Sequence, residues 1–369
     1  MDLTLSRTAI LDELQLLQGV LDRRTTIPIL ANILCSAEGD RLRLAATDLD
    51  ITLLTSCPAT IRQEGQTTVP GKTFFDLIRA LPTESVEITT TDSRLEIRSG
   101  TFQSQIACLN PGDYPTLPEV PTGQGFALPV DLLHNLIDAT SFAVSAEEGH
   151  FQYNAALLLL PGDRVELVAT DGHRLAYGRE PHTQSSPPFE QQLIPRKVMS
   201  QIRRFTAEAG MPLYLGRGEN HLAFRLGERV LLSRVLEARF PQYDRVLVRD
   251  NPHRLVVLRS ELMSALRRVA LLTSERTRAV QLHVDEDALS LNSHGFDLGQ
   301  AAEIVPCRYS GPPLSLLVNS QYILDFLGAV EYEEVQFQLR EQDGPVVLTP
   351  VLPADATGEY LYVIMPIRL

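Results

Sequence analysis

Three times along the chain an apolar rhythm of helical period gives way to short alternating runs, in the same order each time. The first rhythm covers residues 6–21, where Ile10, Leu11, Leu14, Leu17 and Leu21 share one face. Residues 129–144 repeat it with Leu132, Leu133, Leu136 and Ile137, and 259–273 carry it again. Such spacing predicts an amphipathic helix at each place. A strand running into a polar turn comes next: LRLAATDLD, VELVATDGH and LSLNSHGFD, with Asp48, Asp171 and Ser293 in equivalent positions. The third landmark is a strand-to-helix junction, VPGKTFFDLIRAL, IPRKVMSQIRRF and VNSQYILDFLGAV, which matches Pro70, Pro195 and Asn319. All three landmarks recur at an interval of about 120 residues, which predicts three copies of one domain.

Alternating segments such as SVEITTTDSRLEIRSG, HLAFRLGERVLLSRV and EVQFQLREQDGPVVLTPV add antiparallel strands to each copy, and Asp343-Gly344 marks a hairpin turn in the last. Each unit therefore reads as an α+β domain of two helices packed on antiparallel sheet. Turn residues gather at 118–125 and 249–252, which predicts domains at 1–122, 123–250 and 251–369. The Ser/Pro-rich stretch 184–188 reads as an exposed loop. The apolar chain end, YLYVIMPIRL, predicts a strand tied into the body. Pro366 would halt its ladder near an edge, leaving Met365, Ile367 and Leu369 to line a groove suited to a peptide.

Composition narrows the function. The 369 residues are 44% hydrophobic and 21% charged, so a disordered chain is excluded. No run reaches the roughly 20 apolar residues of a membrane helix. The start, MDLT, lacks a signal-peptide pattern. Cys35, Cys57, Cys108 and Cys307 are scattered without CxxC spacing, which predicts buried thiols in a reduced, cytoplasmic protein. The net charge of −13 argues against tight binding to nucleic acid by general electrostatic attraction. Of the 33 basic residues only Lys72 and Lys197 are lysine. Basic side chains do cluster locally, at Arg23-Arg24, at Arg196, Lys197, Arg203 and Arg204, and at Arg267-Arg268.

Catalytic signatures are missing. Neither a GxxxxGK[ST] loop nor a GxSxG elbow occurs, and Gly216-Arg217-Gly218 reads as a hairpin turn. Asp48 with Asp50, and Asp171 with His173, could serve a metal-dependent hydrolase. On turns that end strands, however, such residues more often cap backbone groups. A second alternative is a tandem-repeat scaffold that tethers proteins without enclosing DNA.

Seven segments, TIPILANI, AATDLDI, VPGKTFFD, VATDGHRLA, IPRK, RFPQYDRV and VIMPIRL, together make the chain resemble the bacterial DNA polymerase III β subunit family, the sliding clamps, from end to end. The resemblance implies a homodimeric head-to-tail ring of six similar domains on double-stranded DNA. It also implies a tether for the replicative polymerase, the clamp loader and other partners, with no catalysis and no cofactor. It assigns a peptide pocket to Thr170, Gly172, His173, Arg174, Leu175, Pro241, Arg245, Val246, Val346, Val363, Met365, Pro366, Ile367, Arg368 and Leu369. Arg24, Lys72, Arg196 and Lys197 would face DNA, as would a loop at Phe151 and Tyr153. Ser104 and Ile106 match one side of the dimer seam, Leu271 and Leu272 the other. Size supports a dimer. A 120-residue domain is about 35 Å across, so three in a ring leave a hole of about 5 Å and six leave about 35 Å. Only the larger admits a duplex, and a head-to-tail contact closes such a ring.

Overall fold

The structure, a computed structural model, describes residues 1–21, 26–91, 93–121, 125–145, 153–183, 187, 189–206, 210–295, 299–341 and 344–368. Among them six α-helices fall two to a repeat: α1 (Arg7–Leu17) and α2 (Gly71–Ala80), α3 (Val130–Thr140) and α4 (Arg196–Ile202), α5 (Arg259–Ala270) and α6 (Ser320–Ala329). The Ser6 side chain caps α1 by accepting from the Ala9 N–H, and Asn319 does the same for Gln321 on α6. Helix α1 stops short of the apolar rhythm that announces it. After Leu17 the backbone tightens, with Gly19 N–H bonded to Leu16 and Val20 N–H to Leu17. A side chain at Gly19 would collide with Gln201, its Cβ lying 2.0 Å from the amide nitrogen.

Every repeat has one order, strand–helix–three strands, run through twice. In repeat one the strands are Asp2–Ser6, Asn32–Glu38, Arg41–Thr47 and Ile51–Gln63, then Gly65–Pro70, Ser85–Thr91, Arg94–Ser99 and Phe102–Ala107. Repeat two runs Phe126–Pro129, Ala155–Leu159, Arg164–Thr170 and Arg174–Pro181, then Gln191–Pro195, Pro212–Arg217, His221–Leu226 and Arg229–Arg234. Repeat three runs His253–Leu258, Ala279–Asp285, Ala288–Gly295 and Gly299–Pro306, then Leu314–Asn319, Glu334–Leu339, Val346–Pro350 and Glu359–Ile364. It adds one short strand, Arg308–Ser310, along His253–Leu258.

The sheets do not stop at repeat borders. Ile51–Gln63 of repeat one pairs antiparallel with Arg229–Arg234 of repeat two, Ile51 opposite Ser233 and Leu54 opposite Val230. Arg174–Pro181 of repeat two pairs likewise with Glu359–Ile364 of repeat three, Arg174 opposite Ile364 and Arg179 opposite Glu359. Each junction joins the last strand of one repeat's first half to the last strand of the next repeat's second half. The central repeat is therefore shared between two compact units, Met1–Asp131 with Lys197–Val235 and Leu132–Arg196 with Leu236–Leu369. Within each, strand residues alternate between a buried face and an outer one, as in Val86, Ile88, Leu95 and Ile97.

Two sequence expectations need correction. Ser293 does not sit on a turn: Ala288–Gly295 is strand throughout, Ser293 faces Ala301, and its hydroxyl donates to the Val269 carbonyl. The terminal strand is not near an edge either. Glu359–Ile364 lies between Arg174–Pro181 and Val346–Pro350 and is bonded on both sides. Gly216 and Arg217 end the strand Pro212–Arg217, opposite Ala223 and Leu222, and of the expected hairpin turn only Gly218 leaves the strand, its N–H bonded to the His221 carbonyl. Asp343 and most of the 184–188 stretch lie outside the described residues.

Candidate functional site: an apolar pocket beside the chain end

The strand Arg164–Thr170 leads into a tight turn built by its own side chains. Thr170 Oγ1 donates to the Arg174 carbonyl and accepts from the Gly172 N–H, while Asp171 Oδ1 accepts from the N–H groups of His173 and Arg174. Gly172 takes φ +91°, a conformation open to glycine. Thr47–Ile51 of repeat one makes the same four bonds, with Leu49 at φ +79° in place of the glycine. Both Asp-containing motifs are thus turn builders, as elementary turn chemistry predicts.

Arg174 anchors the turn from behind. Its side chain is only 10% exposed, and four of its five N–H donors are committed to protein groups. Nε bonds Asp171 Oδ2 at 2.8 Å, Nη1 bonds Asp325 Oδ2 at 2.5 Å and the Tyr362 hydroxyl at 3.4 Å, and Nη2 bonds the Phe142 carbonyl at 2.7 Å. The guanidinium also lies 4.5 Å from the Tyr322 ring centroid. Burial works against its charge, but Tyr362, Asp325 and Asp171 more than offset that, and it stays cationic. Burial pushes the Tyr362 phenol up, out of the titrating range.

Two irregular segments lie on the same sheet as this anchor. Residues 236–248 lie over the sheet, where Leu236, Phe240, Tyr243, Val246 and Leu247 pack on Leu175, Leu193, Leu361 and Val363. Arg249 ties that segment down through Glu359, at 3.0 Å from Nε, and Arg179 shares the same carboxylate. The chain end is the other segment. Met365 N–H donates to the His173 carbonyl and Ile367 N–H to Leu317, so the tail spans from the turn to the strand Leu314–Asn319.

Of the residues assigned to the pocket by resemblance, Thr170, Leu175, Val346 and Val363 are buried. Gly172, His173, Arg245, Met365 and Arg368 are exposed, and Pro241, Val246, Pro366 and Ile367 are half-buried around the rim. Leu369 lies outside the described residues. Asp325, Tyr322, Phe142 and Tyr362, which hold Arg174, were not legible as partners, because they come from three distant segments.

The other expected sites divide unevenly. Lys72 on α2 and Arg196 at the start of α4 are exposed, and their side chains make no hydrogen bond or ion pair among the described residues. Lys197 differs. Its ammonium bonds the Asp48 carboxylate and, at 3.0 Å, the Val20 carbonyl, so it braces the repeat-one turn as well as standing half-exposed. Tyr153 is half-buried, and its hydroxyl lies 3.8 Å from where a Cβ on Gly172 would be. Arg24 and Phe151 lie outside the described residues. Ser104 and Ile106 sit on Phe102–Ala107, the last strand of its sheet path; Ile106 is buried, and the Ser104 hydroxyl is shielded without a partner. Leu271, just past α5, is 76% exposed, and Leu272 is half-buried.

Little here resembles a reaction centre. No group of three or more His, Cys, Asp or Glu that could hold a metal occurs among the described residues. Asp48 is occupied by Lys197 and Asp171 by Arg174. Desolvation raises the Cys57 thiol to about 12 and the Cys307 thiol to about 11, far from the low values of reactive cysteines. A concavity of about 490 Å³ opens elsewhere, around the Glu13–Arg229 pair. No helix among the described residues is long and apolar enough to cross a membrane.

Three doubled α+β repeats, with sheets carried across their borders, define the architecture of a DNA clamp. Comparison with known proteins agrees along the whole length. Residues 1–118, 127–242 and 244–368 match the N-terminal, central and C-terminal domains of the DNA polymerase III beta subunit. The beta sliding clamp of Caulobacter vibrioides is 34% identical over 377 residues, and that of Escherichia coli K12 is 32% identical over 372, each covering 100% of both chains. The crystal structure of the DNA polymerase III subunit beta from Pseudomonas aeruginosa superposes with a TM-score of 0.91 at 31% identity, covering both chains fully. A Bartonella birtlesii sliding clamp bound to griselimycin gives 0.93 at 31%, again over both full lengths. The chain belongs to the DNA polymerase III beta subunit family, the bacterial sliding clamps, which are processivity factors of DNA replication and not enzymes.

Proposed function

We propose that two copies of this chain close head to tail around duplex DNA, slide along it, and hold the replicative polymerase, the clamp loader and other partners by short segments seated in the pocket. The strand edges carry this reading. Both internal junctions obey one rule, the last strand of a first half pairing with the last strand of the next second half. Two such strands remain at sheet ends, Gly299–Pro306 in repeat three and Phe102–Ala107 in repeat one. Applying the rule once more joins them. Within one chain the ring would leave a hole of about 5 Å, so they join between two chains. Open edges of this kind require cover, and Ser104 and Ile106 on one side would meet Leu271 and Leu272 on the other. Domain borders at 122/123 and 250/251 suit this arrangement.

Enclosure also accounts for the charge. A topologically linked ring needs no tight DNA affinity, and contacts from Arg24, Lys72, Phe151, Tyr153, Arg196 and Lys197 would position phosphates without reading sequence. An acidic exterior keeps DNA from adhering outside. The pocket takes a segment with a glutamine and apolar or aromatic anchors. A cytoplasmic location fits a replication factor. Retention on a nicked circular duplex tests the proposal: the clamp, once loaded, stays on the circle and leaves when the DNA is linearised. Equal retention on both forms refutes enclosure.

A further inference from the structure

We propose that Asp325 and Gln321 of α6 are positioning residues for the pocket, and that they link its turn to the loop following α5 through Arg278. This rests on the pocket assignment above. The chain of contacts is continuous. Arg278 Nη1 donates to Gln321 Oε1 at 3.1 Å, and Gln321 Nε2 donates to Asp325 Oδ1 at 2.8 Å. Asp325 Oδ2 accepts from Arg174 Nη1 at 2.5 Å, and Arg174 Nε donates to Asp171 Oδ2 at 2.8 Å. Asp171 Oδ1 then holds the N–H groups of His173 and Arg174. Gln321 can satisfy both neighbours in one amide orientation only, with oxygen toward Arg278 and nitrogen toward Asp325. The direction of every link is therefore fixed.

Its far end is also held in place. Arg278 is exposed, has φ +47°, and its carbonyl accepts from both the N–H and the hydroxyl of Ser320, the first residue of α6. Non-glycine residues persist in such backbone only where surrounding contacts enforce it. The loop that Arg278 ends begins with Leu271 and Leu272, the residues expected at the ring seam. A change in that loop therefore shifts Arg278, then the amide of Gln321, then the carboxylate that orients Arg174. With four of its five donors spent on protein groups, Arg174 acts in peptide binding by orienting the turn. His173 and Gly172 of that turn supply the rim.

The test measures the dissociation constant of a labelled peptide, carrying one glutamine with leucine and phenylalanine anchors, on the full-length dimer. R278A and Q321A each weaken binding about threefold to tenfold, the range of one hydrogen bond. The double variant is no weaker than Q321A alone, because both break one link. D325N weakens binding further, since a charge-assisted bond is lost. R278A alters an exposed side chain, so it reports even where D325N folds poorly. Unchanged affinity in R278A and Q321A, or effects that multiply in the double variant, overturns the proposal. Removal of residues 365–369 separates the two readings. If that deletion abolishes binding while R278A and Q321A do nothing, the pocket stands and the relay falls. If the deletion leaves binding intact, the pocket assignment falls and takes the relay with it.

Discussion

Replacing Leu271 by alanine separates the strength of a single seam from the strength of the dimer. The side chain is 76% exposed in the isolated chain, beside the end of α5. Alanine removes three carbon groups, worth about 0.8 kcal/mol each when fully covered. Scaled by the fraction still open to solvent, the loss is about 2 kcal/mol for each seam. Opening the ring breaks one seam, so opening becomes about 30-fold more favourable. Separating the subunits breaks both. The dimer dissociation constant therefore rises by the square of that factor, about a thousandfold. Sedimentation over a dilution series reads the second quantity, and the rate of loss from a nicked circular duplex follows the first. The expected result is a dimer much weakened in dilution while the loss rate rises far less. A dissociation constant that does not move places the seam away from Leu271. Equal changes in the two measurements contradict a ring with two equivalent seams.

Three further outcomes follow from the geometry. Removing residues 365–369 abolishes capture of a pocket peptide, measured by fluorescence anisotropy, and leaves the dimer intact by sedimentation. K72E with R196E shortens residence on circular DNA and flattens its salt dependence without changing the melting temperature, whereas K197A also lowers the melting temperature, by the loss of its bonds to Asp48 and Val20. Burial raises the Glu180 carboxyl above its ordinary value. The folded state then binds more protons than the unfolded one between the two values, so this residue costs stability increasingly as pH rises through that window. E180Q should melt higher than the parent at neutral pH, with the gap closing as pH falls through the raised value toward 4.5, the ordinary glutamate value, and constant below it.

Much of the fold was legible because it is written three times. One copy of a helical rhythm is ambiguous, but the recurrence of Pro70, Pro195 and Asn319 at the same junction fixes where helices start. The Thr47–Ile51 and Thr170–Arg174 turns were readable because their bonds run between residues at most four apart. Ser293 misled, since its place in the repeat matches but its strand continues to Gly295. The ends of α1 were overrun because apolar spacing persists into a tighter turn around Gly19. The candidate site was read through resemblance and not from a local pattern. Nothing local marks Asp325 as the partner of Arg174, 151 positions away. Nor does anything in the sequence say that Lys197 reaches Asp48 rather than standing free, because that tie depends on how α4 meets the repeat-one turn.

The carrying of sheets over repeat borders has a consequence for anyone who would dissect this protein. Its duplication is visible in sequence at one set of joints, while its hydrogen-bonded layers are interlocked across those joints, as bricks in successive courses straddle the gaps below. Cutting at a sequence joint would strip Arg229–Arg234 or Arg174–Pro181 of one of its two neighbours and bare a new ladder. A fragment holding one repeat should be prone to self-association, and a chimera that exchanges the middle third must match strands on both flanks at once.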